Sequence, residues 1–166
     1  MCDTIDIRTN DDIKIAVSRN VVEMWNTISN MLESYIPGNE DSGGAGFDEI
    51  PITEVDNPTL LRVIDYCEQS LNYPEDEEWK KEFFHNTHGT EDLEAIKQHH
   101  TELSNLAKAA DYLEITVLLE DTAQTIANIF QGKSPEKIRE EWDFPDDLTE
   151  EEKENIIRQN LWAFDL

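Results

Sequence analysis

"FQGKSPEKIREEW", Phe130 to Trp142, carries the triplet Gly132-Lys133-Ser134, the way a phosphate-binding loop ends. Two architectures hang on it. A nucleotide loop has to leave a strand and open a helix, whereas a helix boundary would leave two helices in succession. The pattern G-x-x-x-x-G-K-[ST] requires glycine where this chain has Ala127. The residues before the triplet, Leu119, Ala123, Ile126 and Phe130, recur at a helical period rather than a strand period. Without the glycine backbone and the turn out of a strand, no nest of N–H groups forms around a phosphate. A boundary explains every residue. Gly132 tolerates the left-handed backbone that ends a helix over 116–131, Ser134 caps the next helix, Pro135 fits its first position, and Glu136 suits its positive end.

Beyond the boundary the sequence predicts two short helices. The first holds Ile138 and Trp142 and leads to Phe144. The second opens on Thr149 with Glu152 three residues on, a capping box, and carries Ile156, Ile157, Leu161, Trp162 and Phe164. Helices of two to three turns cannot bury that many rings against each other. The rings close the main domain's core, or they form an apolar platform for a partner.

Upstream, Ile5 and Ile7, then Ile13, Ile15 and Val17, alternate with polar residues around Asn10-Asp11-Asp12, which predicts two strands joined as a β-hairpin or by a tight connection. Ser18 is placed to cap one helix whose stripe is Val21, Trp25, Ile28, Leu32 and Tyr35. Residues 37–48 hold four of the six glycines and read as a flexible loop. In "EIPI", Pro51 permits an edge strand at best. Asn57-Pro58 opens a helix with Leu60, Ile64, Cys67 and Leu71 on its buried face. Residues 72–98 read as an acidic loop, a short helix with Trp79, Phe83 and Phe84, and a polar insertion. A longer helix follows, with Leu103, Leu106, Ala107, Ala110 and Leu113 on one side, and Thr116 is placed to cap the next.

Composition narrows the partners. Asp and Glu number 38 against 13 Lys and Arg, a formal charge of −25, so nucleic acid and anionic membrane surfaces are repelled and no partner of either kind is expected. Two cysteines, Cys2 and Cys67, suggest neither a disulfide framework nor a zinc site, and point to a reducing compartment. With no run of about 18 apolar residues and no basic-then-apolar start, the expected location is the cytoplasm and nucleus. His85, His88, His99 and His100 have the spacing of a weak metal site, which would make the chain a metal-dependent enzyme; a surface cluster without metal is the expectation. The runs "EDEE" and "TEEE" lack the calcium-loop pattern. No nucleophile signature is present, and Cys67 lies on a buried stripe, so no catalytic residue and no cofactor is assigned.

The stretch 109–162, "AADYLEITVLLEDTAQTIANIFQGKSPEKIREEWDFPDDLTEEEKENIIRQNLW", closely resembles the C-terminal half of the Skp family, the adaptor subunits of Skp–cullin–F-box ubiquitin ligases. "TIDIRTNDDIKIAVSRNVVEMWNTISNMLES" and "LLRVIDYCEQS" resemble its first half. The resemblance implies an α+β chain: a BTB/POZ fold over residues 1–131, a small sheet wrapped by helices, with extra C-terminal helices over 132–166 that bind F-box proteins. It implies a non-catalytic adaptor bridging an F-box substrate receptor to a cullin scaffold. The F-box-facing residues would be Leu119, Ile126, Ile138, Phe144, Ile156 and Trp162, and the cullin-facing pair Asp111 and Tyr112. Asp111 places a charge where the family usually has Asn, which raises an alternative, a paralogue that binds F-box proteins without cullin. Elongin-C-like proteins share the core but end before such helices.

Overall fold

The structure, a computed structural model, describes residues 4–34, 49–74, 78–84 and 92–163. The expected loop 37–48 and Tyr35 lie outside the described residues. The chain divides into two compact units, Met1–Gln131 and Gly132–Leu166.

The first unit begins with the hairpin that the alternation predicts. Strands β1 (Thr4–Arg8) and β2 (Lys14–Ser18) pair antiparallel with Ile5 opposite Val17 and Ile7 opposite Ile15. Ile5, Ile7 and Val17 point into the core. The turn closes through Asp12 N–H to Thr9 C=O at 3.1 Å, with Asp12 at φ 63°, where an aspartate is tolerated better than a branched residue. Strand β3 (Ile50–Pro51) pairs parallel with β1, giving the order β2-β1-β3 and confining the proline to an edge.

The single helix expected after Ser18 is two. Helix α1 (Arg19–Val22) follows Ser18, whose side chain makes no capping bond, and α2 (Asn26–Ser34) starts after a break at Glu23–Trp25. The break has a tertiary cause. Asn26 Nδ2 donates to the Glu114 carbonyl and Thr27 Oγ1 to the Tyr112 carbonyl, each at 3.0 Å, satisfying acceptors that the end of a distant helix leaves free. Trp25 is fully buried at the break.

Helix α3 (Asn57–Asn72) is capped by Asp56, one residue earlier than expected, with its carboxylate accepting from Thr59 N–H at 3.0 Å. Its core face is Leu60, Val63, Tyr66 and Cys67; the expected Ile64 is half-buried and Leu71 is exposed. Helix α4 (Glu78–Phe84) lays Trp79, Phe83 and Phe84 against this face. Trp79 and Phe83 meet the Tyr66 ring edge-on at 5.2 and 5.5 Å, and the Arg62 guanidinium lies 5.2 Å from the Phe83 ring centre. Lys80 pairs with Asp121 at 3.0 Å.

Helix α5 (Leu93–Tyr112) claims the end of the segment read as an insertion, and buries His99, His100, Leu103, Leu106, Ala109 and Ala110. Helix α6 (Thr116–Phe130) follows Ile115, so Thr116 is its first residue and not its cap. Its core face is Leu118 and Thr122, not the apolar stripe; Leu119 and Ile126 are half-buried and Ala123 is exposed. Thr122 enters the core because its hydroxyl donates to the Leu118 carbonyl one turn back, at 2.7 Å.

Burial pushes the Cys67 thiol up to about 11. Thiolate is therefore scarce at neutral pH, and the group is fully covered. Labelling native protein with a thiol reagent at pH 7.5 should leave Cys67 unmodified, and denaturant should expose it. Equal labelling of the Cys67 peptide in both states would contradict this packing.

In the second unit the boundary residues behave as the sequence indicates. Gly132 sits at φ 75°, Ser134 Oγ accepts from Lys137 N–H at 3.3 Å, and Pro135 opens α7 (Pro135–Trp142). Asp143, at φ 56°, ends it. Thr149 and Glu152 form the full capping box of α8 (Glu150–Gln159), and a single 3-10 turn, Leu161–Ala163, follows. The Thr149 backbone N–H holds the Glu152 carboxyl below its usual range. Lys153 ties α8 to the preceding loop through Asp146 at 2.8 Å.

Candidate protein-docking surfaces

The six residues expected to face an F-box fall in both units. Leu119 and Ile126 share a face of α6, seven residues apart and half-buried. Ile138, on α7, is half-buried; Phe144, Ile156 and Trp162 are exposed. Phe144 lies 6.2 Å from Trp142, ring on ring. Ile157 and Leu161 belong with these residues by exposure, although the sequence reading did not place them in the site. Their signal was present as consecutive apolar positions in a helix too short to bury two faces. Trp162 is 77 % exposed and Leu161 56 %, so the end of the described chain presents apolar surface to solvent.

The expected cullin-facing pair sits at the C-terminus of α5 with different degrees of freedom. Asp111 is exposed. Tyr112 is half-buried, packs on the core, and has its carbonyl held by Thr27. Tyr112 therefore contributes to the fold as well as to the surface.

One pair of groups differs from the sequence expectation. His99 and His100 are not on the surface: they are 4 % and 3 % exposed, with rings 6.3 Å apart. His85 and His88 lie outside the described residues. Among the described residues, no three His, Cys, Asp or Glu side chains come together as a metal site. Lys133, the lysine of the triplet, has a partner in its own unit. It pairs with Glu141 of α7, a carboxylate only 4 % exposed, while Lys137 reaches the other oxygen at 3.9 Å. No sequence signal marks that pair, since its partners are eight residues apart across a helix start.

Residues 3–72 match the model of the Skp1 family tetramerisation domain, a POZ domain, and residues 116–163 match that of the Skp1 family dimerisation domain. A Skp1-related protein of Caenorhabditis elegans is 35 % identical over 97 % of this chain and 92 % of its own length. The chain belongs to the Skp1 family. An E3 ubiquitin ligase complex SCF subunit sconC of Aspergillus flavus is 34 % identical over 98 % of this chain and 97 % of its own. The protein of the same description from Talaromyces marneffei is 31 % identical over 99 % of each. The three-stranded sheet packed with helices is accordingly a BTB/POZ-type fold. The second match spans α6, α7, α8 and the turn after it; the six expected F-box-facing residues all lie within it, four on these helices, Phe144 in the loop after α7 and Trp162 in the last turn. Asp111 and Tyr112 fall between the two matched stretches.

Proposed function

We propose that this chain is the non-catalytic adaptor of an SCF-type ubiquitin ligase, working in the cytoplasm and nucleus. It joins an F-box substrate receptor, docked on Leu119, Ile126, Ile138, Phe144, Ile156 and Trp162, to a cullin scaffold that meets Asp111 and Tyr112. The observation that carries the reading is the cluster of large apolar side chains left exposed on α8 and the turn after it: Ile156, Ile157, Leu161 and Trp162. Together they suit an amphipathic helix docking by its apolar side. Family membership and relatives described as SCF subunits support the same role. The ubiquitin transfer itself belongs to the partner enzymes, and the adaptor supplies geometry.

Capture of the tagged full chain from lysate, followed by mass spectrometry, tests the proposal. Cullin together with F-box proteins is the expected result; F-box proteins without cullin would overturn the scaffold half, and neither would overturn the whole. Asp111→Asn is expected to strengthen cullin binding by about threefold, in the range of one exposed charge. Titration of purified cullin against both forms measures it, and no change would mean that Asp111 does not face the scaffold.

A further inference from the structure

The hairpin turn, the segment before α3 and the last turns of α5 enclose an open cleft of about 300 Å³. Asn10, Glu54, Asp56, Thr59, Asn105 and Lys108 line it over a floor of Val55 and Ala109. The walls are fixed before anything enters. Asn10 N–H donates to the Val55 carbonyl at 3.0 Å, and Asn57 N–H to the Asp11 carboxylate at 3.1 Å. Asp56 is held by its cap bond to Thr59 N–H. The floor belongs to the core, Val55 and Ala109 each being 2 % exposed.

Charge and donor count select the occupant. The lining includes two carboxylate residues and one lysine, and no ion pair joins Lys108 to Glu54 or Asp56. In a chain of net charge −25, the cleft therefore attracts a cation and repels an anion. Glu54, Asp56, Asn10 and Asn105, all lining residues, carry side-chain oxygens that can accept hydrogen bonds. A guanidinium presents five N–H donors in one plane and can use several of these at once; an ammonium is a compact point charge with three. We propose that the cleft is a receptor for one arginine side chain of a protein partner. Lys108 lies one helical turn before Asp111 and Tyr112 on α5, so the arginine is expected on the protein that meets that pair. This source rests on the scaffold reading above; the chemistry of the cleft does not.

The cleft is tested on the full chain, labelled with ¹⁵N, using N-acetyl-arginine N-methylamide and its citrulline counterpart, which keeps the shape and loses the charge. Saturable shifts confined to Asn10, Thr59, Asn105 and Ala109 are expected, with the citrulline probe at least about threefold weaker. Glu54→Gln should weaken the arginine probe about threefold and Lys108→Ala should tighten it by a similar factor. Both positions are exposed, and unchanged spectra elsewhere verify the fold. Equal response to the two probes, shifts spread over the acidic surface, or weakening by Lys108→Ala would overturn the site. The source is read separately, by capture with Glu54→Lys. Loss of cullin with F-box proteins retained supports the scaffold as the source; undiminished cullin capture, with the probe result intact, removes it and leaves the cleft.

Discussion

Trp162→Ala is expected to lower affinity for an F-box segment at least about tenfold while moving the melting temperature of the free chain only a few degrees. Trp162 follows α8 in a single 3-10 turn and is 77 % exposed. A ring so exposed adds little to the free fold, because most of its surface stays in water in either state. Its neighbours Ile157 and Leu161 are 50 % and 56 % exposed, so a partner would cover a continuous apolar surface. An aromatic anchor at the centre of an interface typically costs ~2 kcal/mol or more on truncation. At ~1.4 kcal/mol per decade, that exceeds tenfold in the dissociation constant. Calorimetric titration with a purified F-box segment and a thermal melt read the two quantities. An unfolded variant, or one with unaltered affinity, would place the docking surface elsewhere.

Lys133→Ala is expected to leave nucleotide affinity at nothing measurable and to destabilise the C-terminal unit by about 2–3 kcal/mol. The lysine that imitates a phosphate loop is committed to Glu141, whose side chain is 5 % exposed. Removing Lys133 takes the nearest cation from a nearly buried carboxylate, the costly way to break an ion pair; removing both charges is cheaper. Lys133 is itself a quarter exposed and Lys137 remains at 3.9 Å, so the cost falls below that of a fully buried pair. Denaturation followed by hydrogen exchange over α7 measures the loss, and Glu141→Gln in the same chain should recover most of it. A double variant no more stable than Lys133→Ala would show that the pair is not the origin. Calorimetry with ATP settles the nucleotide half.

What could be read in advance was what is decided within a few residues. The hairpin turn, Gly132 as a stop, Ser134 and Thr149 as caps, and Pro51 at an edge are local choices, and each appears where its chemistry placed it. Neighbouring candidates could still exchange roles: Asp56 caps α3 where Asn57 was equally suited. The break between α1 and α2 was hidden because Val21, Trp25 and Ile28 keep helical period across it, and its cause lies at Tyr112 and Glu114. The core face of α6 departs from its apolar stripe because Thr122 satisfies its own hydroxyl and can be buried. His99 and His100 are a similar case: polarity suggested the surface, and helix position decided burial. Of the residues expected to dock a partner, those near the C-terminus carried a sequence signal, too much aromatic surface on helices too short to hide it, which left core and platform both open. Asp111 and Tyr112 carry no such physical signature and rested on family resemblance.

The bonds from Asn26 and Thr27 to the end of α5 also have a consequence in time. Donor and acceptor are separated by 88 and 85 residues of chain. At a synthesis rate of about 5–20 residues per second, the start of α2 waits roughly 4–18 s on the ribosome before the carbonyls that it caps exist. Over that interval Trp25, destined for complete burial, has no finished core to enter. Contacts this distant in sequence are closed late, because the loop entropy is spent before the contact returns anything. The corner where α5 ends is thus locked only after most of the first unit has been made, and Asp111 is presented on that same corner.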